Sequence, residues 1–362
     1  MGTDDTVAII PQHPKPRKTT MDPNWQRLLG AHGARFDAEA VRDFGDAQAE
    51  RSTAATGTVV APLSAFRLIR ASGEDAVAFL HNLLSNDIKQ LAPGAAMRCG
   101  LCSPKGRLLA DFLVWRDGED CLLQLSADLQ PAILKRLGMY VLRSKVRLAP
   151  ADADLVLIGV SGPDAGALIC SLGAEPPAAA LGVTHFGNGS VVRLDEGRFQ
   201  MVLRATAAIA AWGPLAASAK PVGEPVWRWL DIAAGIPRIT ATTQEEFVPQ
   251  MANFDLIGGV SFSKGCYPGQ EVVARTRYLG KIKRRTYRAR VDAACPAAGT
   301  DLYSPDLPGQ SCGKVIEAAP GPAEGCELLA SMLTSSAERN DVHVGSADGP
   351  LLAFLPLPYS LA

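Results

Sequence analysis

No stretch of this chain is both apolar enough and long enough to cross a bilayer. The most apolar run, 205–219, is alanine-rich, broken by Gly213 and Pro214, and short of the roughly 20 residues a spanning helix needs. An excess of charge of either sign is also missing. Lys plus Arg number 36 against 37 for Asp plus Glu, which argues against a generally basic nucleic-acid or membrane-surface protein and leaves only a local patch open. Nothing near the start resembles a signal peptide, because the first twenty residues carry Asp4, Asp5, three prolines and several cations. Histidine is scarce: His13, His32, His81, His185 and His343 show no ligand spacing, and no metal centre is expected. Neither a P-loop nor a G-x-G-x-x-G motif is present, so nucleotide-driven chemistry is not expected. A soluble, cytoplasmic monomer with no membrane partner is expected.

What is present is an ordinary globular composition, 47% apolar and 20% charged, over 362 residues. That length fits two or three domains. The cysteines (99, 102, 121, 170, 266, 295, 312 and 326) are scattered, so mostly free thiols are expected, each to be judged singly.

Patterning divides the chain further. Residues 1–23 read as a disordered, Pro-rich tail. In 24–153, apolar positions recur at helical spacing over 73–84, with Ser72 and Asp75 as a cap. Strands at 108–115 and 121–125, a helix at 129–142 and a strand at 145–148 follow. The stretch 154–222 shows a strand (155–160), a helix (163–172), strands near 191–194 and 199–203, and a helix (207–219). That β-α-β-β-α order suggests a ferredoxin-like half-domain. A return segment, 223–281, precedes 282–362, where short β-like pieces alternate with Gly/Pro turns and suggest a small antiparallel β-barrel. The fold class is α+β.

The most informative stretch is 253–280, NFDLIGGVSFSKGCYPGQEVVARTRYLG. Gly258 and Gly259 permit a tight turn. A short strand at 260–262 and the Lys264-Gly265-Cys266 turn then deliver a thiol, and Pro268 and Gly269 open a helix. A cysteine at a helix N-terminus beside a lysine has surroundings that favour thiolate. On pattern alone a buried turn cysteine outranks a reactive one.

Lys264, Gly265, Cys266, Tyr267, Gly269, Gln270 and Glu271 spell K-G-C-Y-x-G-Q-E without a gap, which resembles the signature of the YgfZ family. Flanking residues agree: 247–250 (FVPQ), Gly258-Gly259, Phe262 and Val273-Ala274-Arg275. So do Gly73, Asp75, Phe79, Asn86-Asp87, 105–107 (KGR), 144–146 (SKV) and the closing 356–361 (PLPYSL). The likeness covers most of 60–362 and turns Cys266 toward function.

The resemblance implies a three-domain fold like that of the glycine-cleavage T-protein (aminomethyltransferase), with tetrahydrofolate or a derivative in a central opening. It implies folate contacts from Phe66 and from Trp227, which precedes Gly235-Ile236-Pro237, and further ones from Tyr267, Gln270, Glu271 and Arg275. Phe66 stands where the family carries tryptophan, keeping a stacking face without an indole N–H. Cys266, with Lys264, would act at the rim. The implied role is accessory: assembly or repair of iron–sulfur clusters in client enzymes, tRNA-modifying ones included. The enzymatic alternative is one-carbon transfer on tetrahydrofolate, with Asp111 placed where T-proteins carry an acid.

Two further features are weaker. Cys99 and Cys102 form a C-x-x-C, but a zinc site usually needs a second pair, and only His81 is a candidate nearby, so a structural role is expected. Arg275, Arg277, Lys281, Lys283, Arg284 and Arg285 crowd into eleven residues without an acid, either a solvated hinge or a surface for a polyglutamate tail or RNA.

Overall fold

The computed structural model describes residues 21–151, 154–278 and 282–361. Most of the expected tail, and Lys281 of the basic run, lie outside the described residues. Three large sheets and a two-stranded ribbon, Arg35–Asp37 with Ala40–Asp43, organise the rest.

The first has five antiparallel strands in the order Ala96–Cys102, Leu108–Asp117, Asp120–Ser126, Phe66–Ser72, Arg147–Pro150. From 108 to 115 strand Leu108–Asp117 is apolar except at Asp111, and these apolar side chains are buried on both faces. Helices Ala76–Leu83 and Gln130–Val141 supply Phe79, Leu80, Leu83, Ile133 and Leu137 to the same core. The first helix starts three residues later than its apolar spacing suggests. Asp75 occupies the cap position without capping; its carboxylate instead accepts the N–H of Lys145 at 2.7 Å. Gly73 makes that approach possible. Its φ is +110°, and a Cβ there would stand 2.2 Å from the Lys145 carbonyl oxygen.

The second sheet runs Val183–Phe186, Gly189–Asp195, Arg198–Arg204, Leu155–Ser161, Val59–Pro62, Lys220–Pro221. Helices Ala165–Ser171 and Ala205–Ser218 belong to it, as does a strand, Val183–Phe186, absent from the β-α-β-β-α expectation. Val59–Pro62 arrives from ahead of the first sheet and pairs antiparallel with Leu155–Ser161. The 24–153 stretch therefore contributes to two sheets.

The third sheet is a curled antiparallel half-barrel: His343–Val344, Asp301–Tyr303, Ser311–Pro320, Cys326–Leu333, Arg284–Val291, Ala353–Leu355. Cys295 and Cys326 form a disulfide here, the exception to the mostly free thiols expected; six cysteines are free among the described residues. Helix Glu224–Ala233 crosses between the units and packs against Ser311–Pro320 and Ala40–Asp43. It buries Val226, Trp227, Trp229 and Ile232. The turn after it is closed by Tyr359, whose hydroxyl donates to the Gly235 carbonyl at 2.6 Å. That contact gives the closing PLPYSL residues their role. Among the described residues no helix is long and apolar enough to cross a membrane.

Candidate functional site

The first two sheets share one core with helix Glu224–Ala233, which joins Leu113, Trp115 and Leu122 to Leu157, Val192 and Val202 and to Trp227, and a cleft opens beside it. Phe66, Arg98, Asp111, Leu113 and Gln124 line it from the first sheet, Leu194 and Gln200 from the second, and Trp227, Asp231 and 236–238 from the helix and its turn. About 480 Å³ between them is not filled by protein atoms, counting the part open to solvent. Strand alternation puts Asp111 and Leu113 on one face, and Arg98 pairs with Leu113 across the ladder. Three residues expected at the ligand site, Phe66, Trp227 and Asp111, are thus brought together.

Each is held differently. Trp227 is 2% exposed, a wall of the cleft rather than a protruding platform. Gly159 lies flat against it, so close that a Cβ there would stand 2.3 Å from the indole. The Arg198 guanidinium sits 5.6 Å from the Trp227 ring and is fixed by Asp195 and Asp231. Phe66 is half-buried, with the Arg238 guanidinium 4.9 Å from its centroid. Arg238 pairs with Glu224 at 2.9 Å, and its main-chain N–H donates to Glu317 at 3.1 Å.

The charges are tuned by burial. Burial pushes the Asp111 carboxyl up to about 6, against the Ile239 N–H that it accepts at 2.7 Å and the nearby Arg238 and Arg98. Glu317 is pushed up to about 8 by burial, against the pull of Arg238. Burial also raises Glu224, but Arg238 and Arg228 outweigh it and hold that carboxyl below its usual range. Burial and then Arg198 lower the Arg98 guanidinium, which makes no hydrogen bond or ion pair among the described residues. The buried Gln200 Oε1 likewise has no donor, while its amide nitrogen donates to Gln124.

The K-G-C segment is elsewhere. Cys266 is exposed, and the lining of the cleft does not include it. Helix Gln270–Tyr278 begins four residues beyond it, and 260–262 form no strand, so the expectation of a thiol at a helix N-terminus is corrected. Lys264 also differs from expectation. Its ammonium is buried and donates to the main-chain carbonyls of His81 and, at 2.6 Å, Leu84, which end helix Ala76–Leu83. Burial lowers it to about 8. Lys264 therefore ties the turn to that helix. Tyr267 is buried in the first core with its ring 4.9 Å from the ammonium. Gln270 is half-buried, and Glu271 and Arg275 are exposed on the following helix, none of them in the cleft lining.

The segment is stitched to the first unit by polar bonds. Ser85 Oγ donates to the Gly259 carbonyl at 2.6 Å, Asn86 Nδ2 to that of Gly258 at 2.7 Å, and Gln250 Nε2 to that of Val273 at 2.7 Å. Gly269 and Gly106, both at positive φ, touch each other back to back. These bonds account for Asn86, Gln250 and the two glycines in the motif residues.

Cys99 and Cys102 are buried; burial raises both thiols, Cys102 to about 12, and no metal-binding cluster exists among the described residues. Of the basic run, Arg285 is buried against Asp255 at 2.7 Å, and Arg277 lies over Phe262 at 4.0 Å. The sequence reading did not pick out Arg98, Gln124, Gln200, Asp231 or Arg238. The available signal was a polar residue breaking the apolar face of a strand, as Asp111 does.

The GCVT N-terminal domain family matches residues 31–188. The tRNA-modifying protein YgfZ of Yersinia pseudotuberculosis serotype O:1b (strain IP 31758) is 33% identical over 306 residues, covering 83% of this chain and 92% of that protein. The tRNA-modifying protein YgfZ of Enterobacter sp. (strain 638) is 32% identical over 304 residues, with the same coverage. Among solved structures, the glycine cleavage system aminomethyltransferase T from Bartonella henselae superposes with a TM-score of 0.70 at 18% identity, over 92% of this chain and 95% of that one.

Proposed function

This chain belongs to the YgfZ family and has the aminomethyltransferase T fold, and from that premise we propose that it is a folate-binding accessory protein supporting iron–sulfur enzymes, tRNA-modifying ones included. The observation that carries the proposal is the cleft, where Phe66, Trp227 and Asp111 converge from different elements. Ligand clefts combine apolar walls with convergent polar groups, and this one sets Phe66, Leu113, Leu194 and Trp227 against a richer than usual polar side of Arg98, Asp111, Gln124, Gln200, Asp231 and Arg238.

The residues present fit a reduced pteridine with an anionic arm. Gln200 Oε1 is buried without a donor, as an acceptor awaiting a ring N–H would be. Arg98 offers an unpartnered guanidinium, and Asp111 and Asp231 offer carboxylates. Phe66 supplies a ring edge and face. Bound tetrahydrofolate would supply one-carbon chemistry at its ring nitrogens. The chain's own residues would orient the ring and exclude water from one side of it. Cys266, exposed on a turn anchored through Lys264, would present a sulfur to a client enzyme or its cluster.

The enzymatic alternative, one-carbon transfer, is favoured by one observation: Asp111 lies in the cleft with its carboxyl raised to about 6, suited to proton transfer near neutral pH. Complementation of a knockout strain separates the two, with iron–sulfur enzyme activity and tRNA thiomethylation as readouts. An accessory thiol requires loss with Cys266→Ala and tolerance of Asp111→Asn. The reverse order would establish the transferase. For the ligand, tetrahydrofolate should raise the thermal midpoint of the wild type by mass action, and less so for Trp227→Ala. An unchanged midpoint at saturating folate would remove folate from the proposal.

A further inference from the structure

Of the five large apolar side chains left exposed among the described residues, three sit together at the end of helix Gln130–Val141: Met139 at 61%, Tyr140 at 40% and Leu142 at 88% exposure. The helix gives Ile133 and Leu137 to the core. Its opposite side carries Lys135 with Met139 and Arg136 with Tyr140, each pair one turn apart. Tyr140, Leu142, Arg143 and Ser144 then line one open hollow with Asp75. Lys135, Arg136 and Arg143 form no ion pair among the described residues. Asp75 is the acid in the hollow, and its carboxylate already accepts the Lys145 N–H.

The backbone holds this patch outward. Leu142 has φ +42° and ψ −105°, a conformation L residues avoid, while its side chain stands in solvent. A helix end that needed only to turn would carry glycine at such a φ. The chain beyond is tied down: the Ser144 N–H donates to the Val141 carbonyl at 2.7 Å, and the Lys145 carbonyl lies against Gly73. The family-shared segment 144–146 thus sets an apolar and cationic surface on a fixed backbone, which reduces the ordering that binding would cost.

We propose that this surface docks a partner protein through an apolar spot flanked by acidic side chains. Met and Tyr beside Arg are residue types enriched at protein interfaces. Three unpaired cations select an acidic partner. They also disfavour a second copy of this chain, because a two-fold contact would set the cations against themselves. An RNA backbone would use the cations but leave Met139 and Leu142 unmatched. Helix Ala76–Leu83 joins the surface to the thiol: Asp75 at its start holds Lys145, and Lys264 holds the carbonyls at its end. Its eight residues span about 12 Å, so a docked protein would lie within reach of the Cys266 turn. The inference rests on the accessory reading for what the partner is, a client enzyme brought to that thiol.

The test places the photo-crosslinker p-benzoylphenylalanine at position 139 of the full chain in the complemented knockout strain, with adducts sequenced by mass spectrometry. An adduct to a protein segment rich in Asp and Glu is expected, and Arg136→Glu with Arg143→Glu should cut it by about tenfold or more. Leu142→Gly removes the exposed side chain and the unfavourable φ together. It should leave the thermal midpoint unchanged or higher while lowering both the adduct and iron–sulfur enzyme activity. A wild-type adduct to nuclease-sensitive RNA, an adduct to a second copy, or no adduct overturns the proposal. So do surface variants that complement as well as the wild type. If they do so while Cys266→Ala fails to complement, the docking surface is wrong and the accessory reading stands. If Cys266→Ala complements while the acidic adduct and its charge dependence persist, the surface stands and the accessory thiol does not.

Discussion

Arg98 and Asp111 face one cleft but answer to different needs. A desolvated guanidinium without a partner costs stability in the empty protein and gains on meeting an anion. Arg98→Gln should therefore leave the ligand-free thermal midpoint unchanged or raise it, while cutting the folate-induced shift; differential scanning fluorimetry reads both. Asp111 carries a sign that can be worked out. Its folded carboxyl titrates at about 6 against an ordinary 3.8, so the native state holds more protons between those values and stability falls as pH rises through them. Asp111→Asn removes the term. Chemical denaturation at pH 4 and pH 7 should show the variant gaining on the wild type at the higher pH. Gly159→Ala forces a methyl against the Trp227 indole and should cost about 1–3 kcal/mol, with loss of folate binding, since the wall of the cleft must move.

At the scale of elements, Gly269 and Gly106 form a backbone-to-backbone contact that admits no side chain. A Cβ at Gly269 would stand 2.3 Å from the Ser103 carbonyl oxygen, at a φ of +79°. Gly269→Ala should cost about 2 kcal/mol or more and loosen helix Gln270–Tyr278 first, visible as faster amide exchange over 264–278 than over the first sheet. Elements with a full apolar period, such as Leu108–Asp117 and Gln130–Val141, were legible in sequence to within a residue or two. Val59–Pro62 was not, because four residues carry too little period to stand out. Nor was the setting of Cys266. Turn glycines and a proline suggested a helix starting beside the thiol, but 264–269 are held by tertiary bonds from Lys264 and Gly269, which no local pattern announces. Phe66, Trp227 and Asp111 were legible through family likeness. Arg98 was hidden because the charged groups around it, Arg198 and Asp231 among them, are distant in the chain.

For the whole molecule, the α+β character followed from the alternation of patterns and the three-unit plan from the family likeness, while the sharing of strands between sheets did not. Strand Val59–Pro62 is completed by Leu155–Ser161 and Lys220–Pro221, and the turn at Gly235 by Tyr359 at the far end of the chain. Deleting 356–361 should therefore disturb the cleft itself, lowering the folate response along with the thermal midpoint. The lysine staple has a further consequence in time. Helix Ala76–Leu83 leaves the ribosome 183 residues before Lys264 arrives to close its end. At about 5–20 residues per second, that is a wait of roughly ten to forty seconds. Throughout it the terminal carbonyls of that helix and the apolar residues around His81 remain unsealed, a nascent surface open to trigger factor-like holdases. Slow codons ahead of position 264 would lengthen that exposure without altering a single amino acid.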